Sequence, residues 1–436
     1  MASGKDKISL FPVTAGVNGG YLTVGGCDCR ALAEEFGTPL YVYDEQGLRR
    51  QCATFRQEFG QRYTETGVLY ASKAFINRAM ARLVMEEGLG LDVVSGGEMG
   101  IAAAAGFPME KVYFHGNNKS ADELRQALAL GVGRIVVDNF HEMEMLTALA
   151  AERGGAADIL LRLTPGIDPH THRYNTTGTV DSKFGFNLSR WEEAVTRALA
   201  SPHLNLVGLH FHLGSSIYQI DPYEQALPIA LQFAAGMKQK HGFELREIDI
   251  GGGFAVQYSL EEPPPPVAAY AAAITGLLVR QCRERGLPPP RLLIEPGRAI
   301  VARSGFALYR VGAVKEIPGV RSYVCVDGGM GDNIRPALYG ARQAAVAANR
   351  MDEAETGKVT IAGKYCESGD ILVRDAGMPP VITGDLIAVA GCGAYCLPMQ
   401  CNYNAAFRPA VVMVREGRAR LIRRRETLDD LSRCDL

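Results

Sequence analysis

Val68-Leu69-Tyr70-Ala71-Ser72-Lys73 is an apolar, strand-like run that ends on a lysine. Residues 77–87 carry a helical pattern, so Lys73 stands at a strand-to-helix junction. A lysine in that position is a solvated charge, half of an ion pair, or an amine that bonds covalently to a carbonyl compound. The rest of the chain decides among these.

Working outward, apolar and β-branched runs recur at 91–95, 112–115, 134–138, 159–164, 205–213, 247–250 and 291–295. Helical patterns separate them at 97–105, 121–130, 141–153, 191–200, 223–240 and 270–285. Ser120 with Glu123 predicts a capping box at one helix start. Alternating strands and helices imply a parallel sheet. An open doubly wound sheet gathers its chemistry at one switch point, usually beside an early glycine fingerprint. Here the first strand is followed by Lys73, and unusual residues follow nearly every later strand. That distribution fits a closed (β/α)8 barrel, with function on the loops after the C-terminal strand ends.

The barrel is expected over residues 45–303. Beyond it lie short strands at 306–317, 322–326, 358–361, 385–389, 410–414 and 419–423, split by Gly, Pro and Asp. With no long helices between them they read as an antiparallel β domain. The strand-like runs 21–24 and 40–43 could join it, so residues 1–44 and 304–436 are expected to form one discontinuous domain.

The 436 residues carry 46 Lys and Arg against 48 Asp and Glu, a formal net charge of -2. That balance gives no reason to expect nucleic acid or an anionic membrane as partner. No apolar run approaches the roughly 20 residues that span a bilayer. The start lacks the apolar core of a signal peptide, so a cytoplasmic enzyme is expected. The ten cysteines lack the paired spacing of a zinc site, and most are expected to be reduced core thiols.

Three later strand ends carry chemistry. The sixth ends His210-Phe211-His212-Leu213-Gly214-Ser215. Period two puts His210 and His212 on one face, where an imidazole can stack on a flat ligand. They could equally be hydrogen-bonded core histidines, or two metal ligands for which no third ligand is identified. The seventh ends Asp249-Ile250-Gly251-Gly252-Gly253, whose glycines let backbone N–H groups approach an anion. The eighth ends Glu295-Pro296-Gly297-Arg298: a simple ion pair, or an acid for a heterocyclic nitrogen beside an anion-binding guanidinium. Pyridoxal phosphate needs a lysine for its aldehyde, a phosphate cradle, a partner for its ring nitrogen and a flat contact for its ring. Lys73, Gly251, Gly252 and Gly253 with Ser215, Glu295 and His212 supply these from four loops of one rim.

With these motifs, and with His115-Gly116-Asn117-Asn118-Lys119, Cys366-Glu367-Ser368-Gly369-Asp370 and Gly393-Ala394-Tyr395, nearly the whole chain resembles the barrel-type pyridoxal-phosphate decarboxylases, the family of ornithine and diaminopimelate decarboxylases. Alanine racemases share that fold. Arg335-Pro336-Ala337-Leu338-Tyr339, Cys366-Glu367-Ser368 and Arg424-Arg425-Glu426-Thr427 resemble the diaminopimelate-specific members. Phe254-Ala255 and Cys401 are small departures from the family pattern.

The resemblance implies that Lys73 carries the cofactor and that Glu295 keeps the ring nitrogen protonated. A racemase of this fold has an arginine there, so Glu295 argues for decarboxylation. By the same resemblance His212 stacks on the ring, while Gly252, Gly253, Gly297 and Arg298 hold the phosphate, with Ser215 and Tyr395 nearby. Cys366 is the implied proton donor. Arg298, Arg335, Tyr339 and Tyr395 bind substrate, and Glu367 pairs its distal ammonium. The implied reaction converts meso-2,6-diaminopimelate to L-lysine and CO2, the last step of lysine biosynthesis. No metal is expected. Also implied is a homodimer in which Cys366 and Glu367 reach the partner's site. The alternatives are a decarboxylase of another basic amino acid or carboxylated polyamine (ornithine, lysine, arginine, carboxynorspermidine), or an inactive regulatory relative. The latter should lack the lysine, the thiol or the glycines that this chain keeps.

Overall fold

The strand that leads to Lys73 is hydrogen-bonded to parallel neighbours on both sides, and following them returns to the start. We label the eight barrel strands β1 (Thr66–Ala71), β2 (Gly90–Val93), β3 (Val112–Phe114), β4 (Arg134–Val137), β5 (Ala157–Thr164), β6 (Leu204–His210), β7 (Glu247–Asp249) and β8 (Arg291–Ile294). Sequential strands pair throughout, and Leu292 to Ile294 of β8 pair with Thr66 to Val68 of β1, which closes the barrel. The computed structural model describes residues 3–168, 177–178 and 181–436.

The chain divides into two units. One comprises Cys52–Ala255 and Pro264–Ala299 and holds the barrel. Leu69, Tyr113, Val136, Leu160, Val207 and Leu293, from six strands, form a buried cluster within it. Near the N-terminal strand ends, buried Glu247 receives Arg134 Nη2 at 2.9 Å and Nε at 3.1 Å, and Tyr113 Oη at 3.1 Å. Helices open on side-chain caps: Asn77, Ser95, Ser120 and Asn139 each accept from a backbone N–H three residues on. Each satisfies a donor that the helix start leaves unpaired, and the Ser120–Glu123 capping box is formed. These caps end the strand-to-helix loops at defined points and so hold the rim in place.

The other unit comprises Met1–Gln51, Val256–Pro263 and Ile300–Leu436. Its long strand Gly305–Ile317 pairs with Arg321–Val326, Leu386–Val389 and Leu40–Asp44. The sheet is mixed, not antiparallel. Leu40–Asp44 runs parallel to Ala410–Arg415, and Arg321–Val326 runs parallel to Gly357–Ala362. The first parallel pair needs no crossover helix, because the barrel segment separates the two strands in sequence. The second is joined through a connection that contains the short helix Arg335–Tyr339. Strands Ala345–Ala347 and Ile371–Met378 add to the unit, while Tyr21–Val24 lies in a separate three-stranded sheet with Gly16–Asn18 and Cys27–Asp28. Leu40, Val42, Phe306, Leu308, Ala388 and Val412 are among its core residues. All ten cysteines are free, and six are buried. Among the described residues no helix is long and apolar enough to cross a membrane.

Candidate active site

Lys73 lies in a single 3-10 turn, Ser72–Ala74, directly after β1. Its Nζ donates to Asp92 Oδ2 at 2.7 Å. Asp92 belongs to β2 and is fully buried, whereas the lysine side chain is one-third exposed. The amine is therefore anchored from below and reachable from above.

Glu295 follows β8 and is 2% exposed. Its Oε1 lies 2.9 Å from His115 Nε2 and 3.5 Å from His210 Nε2. The two imidazoles meet edge to face, with centroids 4.8 Å apart. His115 Nε2 is also 3.7 Å from Asp92 Oδ1. Burial alone would raise the Glu295 carboxyl, but His115 and His210 hold it well below the usual carboxylate range. Burial pushes His210 down to about 3, so that ring is neutral. Asp249, the last residue of β7, is pushed the other way: burial, then the neighbouring Glu295 charge, raise it well above the usual range. Of the two buried acids, Glu295 is pushed toward its charged form and Asp249 toward its neutral form.

The sequence suggests no further ligand to accompany His210, and the structure supplies three. Ligand atoms of His115, His210, Asp249 and Glu295 lie within 4.8 Å of one another. Within this group His115 and Glu295 lie 2.9 Å apart. Several of its atoms have no aligned hydrogen bond among the described residues: Glu295 Oε1, His115 Nε2, both His210 nitrogens and Asp249 Oδ2. Buried polar atoms in that state are costly unless something completes them.

His212, just beyond β6, is also neutral: burial, then the positive charge of Lys73, hold it well below the usual imidazole range. Its Nδ1 accepts the Gly252 N–H at 3.1 Å, which places the ring proton on Nε2 and fixes the ring plane. Gly252 N–H is thus directed at His212 rather than outward, which leaves Gly253 as the glycine whose N–H can face an anion. Tyr223 Oη donates to the Gly252 carbonyl at 2.8 Å. A Cβ on Gly252 would stand 2.1 Å from the Glu295 carbonyl oxygen, and one on Gly253 would stand 2.4 Å from that of Gly214. Gly253 also has a φ of +106°, which L side chains rarely adopt. Three strand-end loops can meet backbone to backbone only because these positions lack side chains. Across the same rim Arg298 Nε donates to Ser215 Oγ at 3.0 Å.

Lys73, His212, Ser215, Gly252, Gly253, Glu295, Gly297 and Arg298 all lie in the barrel unit. Arg335, Tyr339, Cys366, Glu367 and Tyr395 lie in the other. Arg335 opens a one-turn helix and is 6% exposed. Its guanidinium sits 4.8 Å over the Tyr258 ring, and Nη1 has no hydrogen-bond partner among the described residues. Tyr339 Oη is 3.9 Å from the Met399 sulfur. Cys366 and Glu367 are exposed on a loop. Cys366 N–H donates to Asn404 Oδ1 at 2.9 Å, and its carbonyl accepts from Tyr403 Oη at 3.2 Å. Asp370 fixes the same loop by accepting from the backbone of Met330 and Tyr365. Tyr395 has a φ of +59°, a strained conformation of the kind that collects at functional sites.

Sequence reasoning assigned no role to Asp92, His115 or Asp249. Asp92 carries a signal of its own, a carboxylate inside the apolar run Leu91-Asp92-Val93. The other two stand inside quoted motifs, and only distances reveal what they do.

Residues 45–302 match the family model described as pyridoxal-dependent decarboxylase, pyridoxal binding domain. The chain is 48% identical over 419 residues to a diaminopimelate decarboxylase of Bacillus subtilis, covering 96% of this chain and 95% of that one. It is 43% identical over 445 residues to a diaminopimelate decarboxylase of Synechocystis, covering 100% and 94%. Among solved structures it is similar to a diaminopimelate decarboxylase from M. jannaschii in co-complex with L-lysine. That match has a TM-score of 0.91 and 33% identity, covering 97% of this chain and 98% of the other. An enzyme of the same name from Helicobacter pylori, also complexed with L-lysine, matches with a TM-score of 0.86 and 32% identity, covering 93% and 98%.

Proposed function

The chain belongs to the family of pyridoxal-dependent decarboxylases, and from that premise we propose that it decarboxylates meso-2,6-diaminopimelate to L-lysine and CO2, the last step of lysine biosynthesis. Its cofactor is pyridoxal 5'-phosphate. The observation that carries this is Glu295, a buried carboxylate at the end of β8 that His115 and His210 hold toward its charged form. That charge would keep a pyridine nitrogen of the cofactor protonated. The residues fit the group on a second count as well, since Gly253, with a φ of +106°, can present backbone to an anion with no side chain in the way.

Bound through its aldehyde to an amine, pyridoxal phosphate withdraws electrons from Cα once the carboxylate leaves. This chain's residues do the rest. Lys73, anchored by Asp92, supplies the amine that holds the cofactor between turnovers. Glu295 keeps a proton on the ring nitrogen, because an adjacent negative charge favours the charged form. His212, its ring held by the Gly252 N–H, would stack on the cofactor ring. Gly253, Gly297, Ser215 and Arg298 would hold the phosphate, and Tyr395 would serve it as well.

Residues 45–303 form the cofactor domain in this reading, and residues 1–44 with 304–436 the second. Arg335, Arg298 and Tyr339 grip the substrate's distal carboxylate, and Glu367 pairs its distal ammonium. Cys366 would hold the proton delivered to Cα after the carboxylate has left as CO2. Cys366 and Glu367, exposed on their own chain, reach the site of a second copy, so the active species is a cytoplasmic homodimer with two composite sites. An ornithine-type enzyme has no distal carboxylate to bind, and the buried Arg335 speaks against that alternative.

The test is to incubate purified protein and pyridoxal phosphate with a panel of diamino acids and identify the amine formed. Lysine from diaminopimelate is expected. Turnover of ornithine or arginine but not of diaminopimelate would sink the assignment, and retained activity in Lys73→Ala would sink the mechanism.

A further inference from the structure

A line of buried groups runs beneath the proposed cofactor site. Lys73 Nζ is 2.7 Å from Asp92 Oδ2, Asp92 Oδ1 is 3.7 Å from His115 Nε2, and His115 Nε2 is 2.9 Å from Glu295 Oε1. His115, Asp92 and Glu295 are all less than 4% exposed. We propose that His115 is a positioning residue that shares one buried proton between Glu295 and Asp92, and so ties the charge at Glu295 to the charge on Lys73.

The geometry is that of a donor held between two acceptors. One ring nitrogen faces two carboxylate oxygens from different strands, and its single N–H can serve only one at a time. Neither contact is aligned: Asp92 Oδ1, Glu295 Oε1 and His115 Nε2 all lack a formed hydrogen bond among the described residues. A small turn of the ring completes one bond or the other. While Lys73 is an ammonium, Asp92 is compensated through Oδ2, and the His115 proton serves Glu295. When the Lys73 nitrogen gives up its charge, Asp92 is left a buried anion, and the same proton is drawn to Oδ1. The acid under the ring and the amine at the aldehyde then change together.

Other charged groups face His115 from the surrounding elements, and most are committed elsewhere. His210 on β6 is a neutral ring set edge to face against it. Asp249 on β7 spends Oδ1 on the Gly251 N–H. Asp138, after β4, accepts the Gly185 N–H. Glu98, in helix Gly96–Ala104, accepts the Val94 N–H, and burial raises its carboxyl to about 7. Arg162 on β5 lies over the Phe184 ring. His115 is the group paired with both carboxylates of the line.

The role assigned to this coupling rests on the functional reading above, but its test does not need a loaded enzyme. In the full-length protein freed of cofactor, the pH dependence of Lys73 acetylation is followed by mass spectrometry of its peptide. Four proteins are compared: wild type, Glu295→Gln, His115→Asn and the double variant. His115→Gln replaces His115→Asn if the latter does not fold. Removing the Glu295 charge should lower the Lys73 midpoint by about one pH unit when His115 is present. Without His115 the shift should fall to less than about half of that, because only the through-space part remains. Equal shifts in the two backgrounds would overturn the proposal. Failure of the wild-type protein to take up pyridoxal phosphate would instead overturn the functional reading and leave the comparison of shifts intact.

Discussion

Replacing Arg335 with methionine should stabilise the protein and remove most of its activity. The guanidinium is 6% exposed, stacked at 4.8 Å on Tyr258, with Nη1 unmatched among the described residues. Burial works against its charge, yet Tyr258 and the nearby thiols keep it cationic. A cation–π stack returns only about 0.5–2 kcal/mol. Exchanging a buried charge for an apolar side chain of similar size is often stabilising, by about 1–4 kcal/mol. Methionine is unbranched and fills the same slot. A gain of about 1–2 kcal/mol corresponds to a Tm rise of roughly 2–8 °C for a unit of this size.

Activity should move the other way. Removing the partner of a buried charge costs about 2–5 kcal/mol, a loss of roughly 30- to 5,000-fold in kcat/KM for diaminopimelate. Release of lysine gives kcat/KM, and calorimetry gives Tm. An inhibition control isolates the cause. L-Lysine keeps the distal carboxylate, so its inhibition constant should rise with the loss of Arg335, whereas that of cadaverine, which has no carboxylate, should change little. A fall in both Tm and kcat/KM would mean that Arg335 is a structural residue, and the substrate argument would fail. Unchanged kcat/KM would refute it outright.

Gly252→Ala forces a Cβ to 2.1 Å from the Glu295 carbonyl, so the loops must part by about 1 Å. A displacement of that size is worth about 10²-fold in activity, and cofactor titration should show weakened uptake in a folded protein. Mixing Lys73→Ala chains with Cys366→Ala chains should restore up to about a quarter of wild-type activity, since half the dimers are mixed and each has one intact site. Verified mixing with no recovery counts against shared sites. Glu98 governs a pH effect. Its carboxyl is raised by burial from 4.5 to about 7, so the native state holds a proton there that the unfolded chain has lost. Stability should therefore fall as pH rises from about 4.5 to about 7, by roughly 1–2 kcal/mol after allowance for its partial exposure. Urea midpoints at the two ends of that window should converge in Glu98→Gln.

The barrel was legible because its signal is local. Each strand is an apolar run, each helix has its own period and cap, and right-handed β-α-β units leave few ways to arrange eight of them. The second unit was less legible because its pairings are not local. Nothing near Leu40–Asp44 announces that its parallel neighbour is Ala410–Arg415, since the whole barrel segment lies between the two strands in sequence. A missing crossover helix points to antiparallel pairing only when the paired strands are consecutive in the chain. Asp92 is a different case. A lone carboxylate in an apolar strand needs a cation, and Lys73 was already in view nineteen residues away.

The charge of Glu295 shows where residue identity stops being enough. That position 295, proposed to face the ring nitrogen, holds a carboxylate rather than an arginine can be read directly from the sequence, and in the proposed function it separates decarboxylase from racemase chemistry. Whether that carboxylate is ionised cannot be read there. It sits beside a second acid, and two buried acids at this separation cannot both be charged. Which one keeps the proton depends on His115 after β3, His210 on β6 and Asp249 on β7, which no sequence spacing relates to Glu295. The barrel places these strand ends a few ångströms apart and turns the histidines toward Glu295 rather than Asp249. A chain with the same Glu295 but an apolar residue in place of both histidines would keep its motif. Burial would then act alone and raise the Glu295 carboxyl, and the ring nitrogen would meet a neutral acid.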